Sequence, residues 1–182
     1  MEILSIKVRR CGSWCGRLLL GLLFASGVAC AQAADEYAVK AAFLYNFTKF
    51  IEWPKTDSDS FSICILGDDP FGSTLESLVK GKTANGKKLA VRRLKDAPEA
   101  KQCQIVYVRA EEKNKAAQLI EAVQKTAVLT VGERSEFGKM GGLIYLSMVD
   151  DHVSVGINAA ATEASGLKVS AKLLSLAKNG EK

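Results

Sequence analysis

Hydrophobic positions along the chain change period several times, and each change marks an element. Val39, Phe43, Phe47 and Phe50 recur at helical spacing, and Leu44 and Ile51 widen the stripe. Asp35 is placed to cap a helix beginning at Glu36, and Pro54 to end it. The polar face of this helix has too few Lys and Arg for a membrane-surface helix, so the stripe reads as packing against a sheet. Residues 61–66 (FSICIL), 104–108 (QIVYV) and 127–131 (AVLTV) are short, nearly continuous apolar runs, the pattern of buried strands. Residues 88–94 alternate in part, with Leu89, Val91 and Leu94 facing inward. Further helices are expected after Gly72 (Leu75, Leu78 and Val79 on one side), over 114–125 (Ala116, Leu119, Ile120 and Val123) and over 171–178 (Leu173, Leu174, Leu176 and Ala177). Residues 135–139 read as a short helical turn at most. Asn85-Gly86 is a turn, and Asp150-Asp151 closes a hairpin between 143–149 and 153–157.

Strands interleaved with helices predict an α/β fold. The expectation is one layered domain over residues 34–182, with a mixed, mostly parallel sheet of about six strands flanked by helices, a closing hairpin and a C-terminal helix. No internal repeat, low-complexity tract or linker divides it.

Composition narrows the classes. At 48% hydrophobic and 25% charged residues the chain is neither disordered nor a polytopic membrane protein. Residues 1–33 read as an export signal: Lys7, Arg9, Arg10 and Arg17 form a basic end, 18–29 is a largely apolar run, and Ala31-Gln32-Ala33 is a small-x-small cleavage pattern. The run is short for a span, which needs roughly 20 apolar residues. Cys30 raises lipidation as a second reading, but Gly27-Val28-Ala29 lacks the leucine usual in a lipobox, so a soluble exported product starting near Ala34 is favoured. Of the formal charge of +5, three units lie in that leader, which leaves no electrostatic case for nucleic-acid binding.

Only Cys64 and Cys103 remain after the leader. An exported pair favours a disulfide, although two buried thiols fit the same residues. Closing that loop is worth about 4 kcal/mol on chain-entropy grounds. Neither cysteine has a CxxC neighbour, and no Cys–His or Ser–His–Asp arrangement is evident around the lone His152. No zinc spacing can be assembled from this inventory. The loop 67–72 (GDDPFG) follows a strand and precedes a helix, the edge where α/β sheets bind ligands. Asp68 and Asp69 could hold a cation or act as acid and base there, but aspartates also simply build turns. Gly138, Gly141 and Gly142 read as tight-turn glycines rather than an anion cradle. Lys87, Lys88, Arg92 and Arg93 read as a solvated face. The inventory favours a binding or regulatory module over an enzyme, with no catalytic residue, cofactor or metal.

Several segments together resemble the YfiR family of periplasmic proteins: AAFLYNFTKFIEWP at 41–54, CILGDDPF at 64–71, VLTVG at 128–132, GGLI at 141–144, Ile157-Asn158, and GLKVSAKLL at 166–174. The resemblance runs in order through nearly all of the chain after the leader. It implies a non-enzymatic repressor that binds the periplasmic sensor domain of an inner-membrane diguanylate cyclase. Redox stress, or sequestration by an outer-membrane lipoprotein, would lift the repression, raise cyclic-di-GMP and favour biofilm. It also implies a homodimer and a disulfide at Cys64 and Cys103. Better-known members carry a second cysteine pair, where this chain has Gly138 and Tyr145. The expected docking patch is the last hairpin and the chain after it: Ile144, Val155, Gly156, Asn158 and Thr162, with Ile144 and Val155 fitting sheet core equally well. Two rivals stand beside this: a small-molecule sensor using Asp68, Asp69 and Phe71, and a minor hydrolase using Asp68 or Asp69.

Overall fold

A computed structural model describes residues 27–55 and 58–179. The basic end of the expected leader and most of its apolar run lie outside the described residues. The described residues begin with α1 (Gly27–Phe50), followed by β1 (Ile51–Glu52), β2 (Ser60–Leu66), α2 (Ser73–Val79), β3 (Thr83–Ala84) and β4 (Lys87–Leu94). A 3-10 helix (Ala97–Gln102) leads to β5 (Ile105–Val108), α3 (Lys113–Ala122), β6 (Leu129–Gly132) and α4 (Ser135–Lys139). The last third is β7 (Ile144–Val149), β8 (His152–Ile157), α5 (Ala159–Ala164), β9 (Lys168–Val169) and α6 (Ala171–Asn179). The expected cap at Asp35 is not a helix start. Residues 28–34 contain neither Gly nor Pro and are rich in alanine, so the helix continues back through them.

Seven strands form the main sheet, in the order β3-β4-β2-β5-β6-β7-β8. All neighbours from β4 to β7 are parallel, and the two outermost, β3 and β8, are antiparallel. The seventh strand is β3, a two-residue piece turned back at Asn85-Gly86, too short for its pattern to stand out. The 3-10 helix and α5 are also additions to the expected set. The first starts at Asp96, whose backbone N–H donates to Glu99 Oε1 (3.2 Å), and the second is capped by Asn158 Oδ1, which accepts from Ala161 N (3.0 Å).

Side chains alternate between two cores because successive strand residues face opposite ways. Phe61, Ile63 and Ile65 of β2, Ile105 and Tyr107 of β5, and Leu129 and Val131 of β6 face Ala41, Leu44 and Phe47 of α1 and Leu75 and Val79 of α2. Cys64 and Leu66, Val106 and Val108 face Ala116, Leu119 and Val123 of α3, Ala97 and Ala100 of the 3-10 helix, and Phe137 of α4. The Cys64–Cys103 disulfide lies in this second core. On the first side, Trp53 meets Phe61 edge to face and donates from Nε1 to Gln104 O (3.2 Å). β1 pairs with β9 as a small separate ribbon, Ile51 opposite Val169, and Ser170 N donates to Phe50 O (2.9 Å). The two ends of the domain are therefore joined side by side.

The β7–β8 hairpin turns through Asp150 and Asp151, both with positive φ (47° and 61°). This two-residue geometry matches the right-handed twist of the strands but strains a residue with a Cβ. Replacing Asp151 with Gly is expected to raise unfolding free energy by about 0.5 kcal/mol. Replacing both Cys64 and Cys103 with Ser is expected to lower it by about 2–5 kcal/mol. Urea denaturation under non-reducing conditions measures both.

Candidate functional site

The C-terminal ends of β5 and β6 converge on one buried carboxylate. Glu133 follows β6 directly, and its side chain turns under α1. Its Oε1 accepts from Lys40 Nζ (2.7 Å) and from the Tyr107 hydroxyl, and its Oε2 accepts from Ala110 N (2.9 Å). Lys40, 3% exposed, also pairs with Glu36 one turn earlier on α1 (2.5 Å). Burial alone would raise the pKa of Glu133, but the donors outweigh it and hold the group below its ordinary value. Burial likewise works against the Lys40 ammonium, and the hydrogen bonds to Glu133 and Glu36 overcome it and raise its pKa. Tyr107 is pushed strongly up, first by burial and then by the adjacent Glu133 charge, so it remains a donor. The cluster is a set of mutually satisfied charges that clamps α1 to the sheet, with no nucleophile paired to a base. Sequence reading missed it because Lys40 and Glu133 are 93 positions apart and neither stands out locally.

The loop 67–72 sits where the fold changes direction. From β2 the chain passes to β4 through α2 on one face, and from β5 it passes to β6 through α3 on the other. That crevice is occupied by the chain itself. Glu112 Oε1 accepts from Asp68 N (3.3 Å) and pairs with Lys115 (3.1 Å). Asp69 builds the turn, accepting from Phe71 N (2.8 Å), and its other oxygen accepts from Arg93 Nε (2.7 Å). Phe71 is buried between Tyr37 (5.8 Å between ring centres) and Tyr107 (4.7 Å). Asp68 alone is exposed, so Asp68, Asp69 and Phe71 do not converge on a common cavity. Among the described residues no three His, Cys, Asp or Glu side chains are grouped to hold a metal ion.

The five residues expected to dock a partner are adjacent but mostly internal. Ile144 is fully buried and Val155 nearly so, both in the core beneath α1. Thr162 is buried, its hydroxyl donating to Asn158 O (2.8 Å), and Asn158 also donates from Nδ2 to Gly138 O (2.8 Å). Gly156 lies opposite Tyr145 in the hairpin, and a Cβ built there falls inside the Tyr145 ring. The same ring reaches within 3.0 Å of a Cβ built at Gly138. The two positions at which the resemblance implies a second cysteine pair are thus neighbours in space, and here an aromatic ring lies against a bare backbone.

Glu133, held below its ordinary pKa of 4.5, contributes stability above that value, and this is lost as pH falls through the folded-state pKa. Glu133→Gln is expected to lower stability by about 3 kcal/mol at pH 7. The gap to the parent protein should close as pH drops below 4.5, as followed by urea denaturation across a pH series.

No curated protein matches the chain. Among solved structures it is similar to a conserved domain protein from Vibrio cholerae O1 biovar El Tor strain N16961, at 13% identity and a TM-score of 0.50. The match covers 78% of this chain and 58% of that one, so the chain spans less than two thirds of the length of that relative; the likeness is one of fold. A family model described as YfiR/HmsC-like matches residues 37–178, from within α1 to within α6. Matched over residues 37–178, the chain belongs to the YfiR/HmsC-like family.

Proposed function

We propose that the protein is a periplasmic negative regulator that binds the periplasmic sensor domain of an inner-membrane diguanylate cyclase and represses cyclic-di-GMP synthesis. The observation that carries this reading is the YfiR/HmsC-like match over residues 37–178, which takes in both ends of the domain. A homodimer and release by an outer-membrane lipoprotein belong to the same reading. Repression requires only that the regulator bind the inactive conformation of the sensor more tightly than the active one.

The docking surface belongs to the last hairpin and the chain after it, through their exposed side chains. Met148 and Val149 at the tip of β7, and Leu174 and Leu176 on α6, are large, apolar and 38–47% exposed. Val39 on α1 is exposed to a similar degree, and α1 and α6 both pack on β8. Ile144, Val155, Gly156, Asn158 and Thr162 would act from beneath, by holding the hairpin and α5 in shape. A charge at Gly156 would therefore report on folding through its collision with Tyr145.

The expected result for Met148→Glu combined with Val149→Glu is a rise of cyclic-di-GMP to the level of a deletion strain. The melting temperature should stay within about 2 °C of the parent, because surface changes of this kind cost little. Loss of capture by the cyclase sensor domain should accompany it. Unchanged cyclic-di-GMP in the deletion strain itself would overturn the reading.

A further inference from the structure

An open cleft of about 450 Å³ lies beside the Glu133 cluster, between the C-terminal ends of β5 and β6. This is within the roughly 300–1,000 Å³ of small-molecule pockets. Its floor and lip are apolar, formed by Val108, Ala116, Phe137 and Met140, the last 44% exposed. Three cations line the same cleft: Arg109 from the loop after β5, Lys113 at the start of α3, and Arg134 ahead of α4. Lys113 and Arg134 have no acceptor among the described residues. Arg109 pairs with Glu111 through one terminal nitrogen (3.3 Å) and with the Tyr37 side chain, while its Nε has no acceptor. A buried N–H without a partner is costly, and the rest of this guanidinium is partly exposed beside the cleft.

Two carboxylates, Glu133 and Glu136, line the same cleft. Glu133 is saturated by Lys40, Tyr107 and Ala110 N, and Glu136 is exposed on α4. The cleft lining thus carries three cations and two carboxylates, with Glu111 outside it paired to Arg109. The first amides of α3, which have no side-chain cap, add the positive end of a helix at the same wall. Cations at one side and a methionine-phenylalanine floor at the other ask for a molecule with both properties.

We propose that this cleft binds a small amphiphilic anion, a carboxylate or phosphate head on an apolar body. The head pairs with Arg109, Lys113 and Arg134, and the body covers Phe137 and Met140. The site adjoins the hairpin surface assigned to the cyclase, since Arg134 and Glu136 also line a second pocket with Met148 of β7.

Purified protein is titrated with octanoate and with octyl phosphate, followed by backbone amide NMR shifts and calorimetry. Acetate and 1-octanol serve as head-only and body-only probes. The expected result is saturable binding of one or both anions, with a dissociation constant on the order of 0.1 mM. Shift changes should centre on 108–116 and 132–140, and the better-bound anion identifies the head. Neither acetate nor 1-octanol should bind at the same concentration. Lys113→Glu with Arg134→Glu, both exposed, should fold normally and weaken binding about tenfold or more. Met140→Glu should weaken it independently. Absence of saturable binding, equal binding of 1-octanol, or undiminished binding by the charge-reversed variant would each overturn the proposal. The readout is direct binding, so its failure leaves the regulatory reading of the fold intact.

Discussion

The placement of α1 depends on one carboxylate kept charged out of water. Glu133 can remain ionised there only because Lys40, the Tyr107 hydroxyl and Ala110 N all point at it. A helix packed by apolar contacts alone can slide by a turn at modest cost. An ammonium that must meet a particular carboxylate cannot. With Lys40 held, Ala41, Leu44 and Phe47 fall in register over β2, β5 and β6, and Phe50 arrives where β9 can receive it. The pair is therefore read as a device of specificity more than of stability, since a buried ion pair returns little net free energy once desolvation is counted.

What the residues announced beforehand follows from how local each signal is. The apolar runs of β2, β5 and β6, the helical stripe of α3 and the Asp150-Asp151 turn each depend on neighbours within one element, and all are found as expected. The layered α/β arrangement follows from their order. The helix start at Asp35 failed because a good capping residue is outweighed when the preceding residues are themselves helix formers. β1 and β9, two residues each, carry no periodicity and exist only because the ends of the domain meet.

The candidate site was less legible for a related reason. The loop 67–72 had the right place in the topology, but its side chains serve the chain itself: Asp69 with Arg93, Phe71 with Tyr107. Exposure along β7 and β8 could not be read from alternation, because α1 and α6 cover one face of the hairpin. Ile144 and Val155 thus lie inside while Met148 and Val149, further along β7, face solvent. Tyr145 explains its own two glycine neighbours only in three dimensions, where Gly138 and Gly156 leave room for one ring.

The disulfide divides the sheet unequally. Between Cys64 and Cys103 lie α2, β3, β4 and the 3-10 helix, so that flank is closed into a covalent ring around the central strand β2. The opposite flank, β6 to β8 with α4 to α6, has no covalent tether and is held by packing, ladder hydrogen bonds and side-chain bonds such as Asn158 to Gly138 O and Lys40 to Glu133. Partial opening of the hairpin side therefore meets no covalent link, whereas opening of the other flank leaves the loop from Cys64 to Cys103 closed and its chain less free.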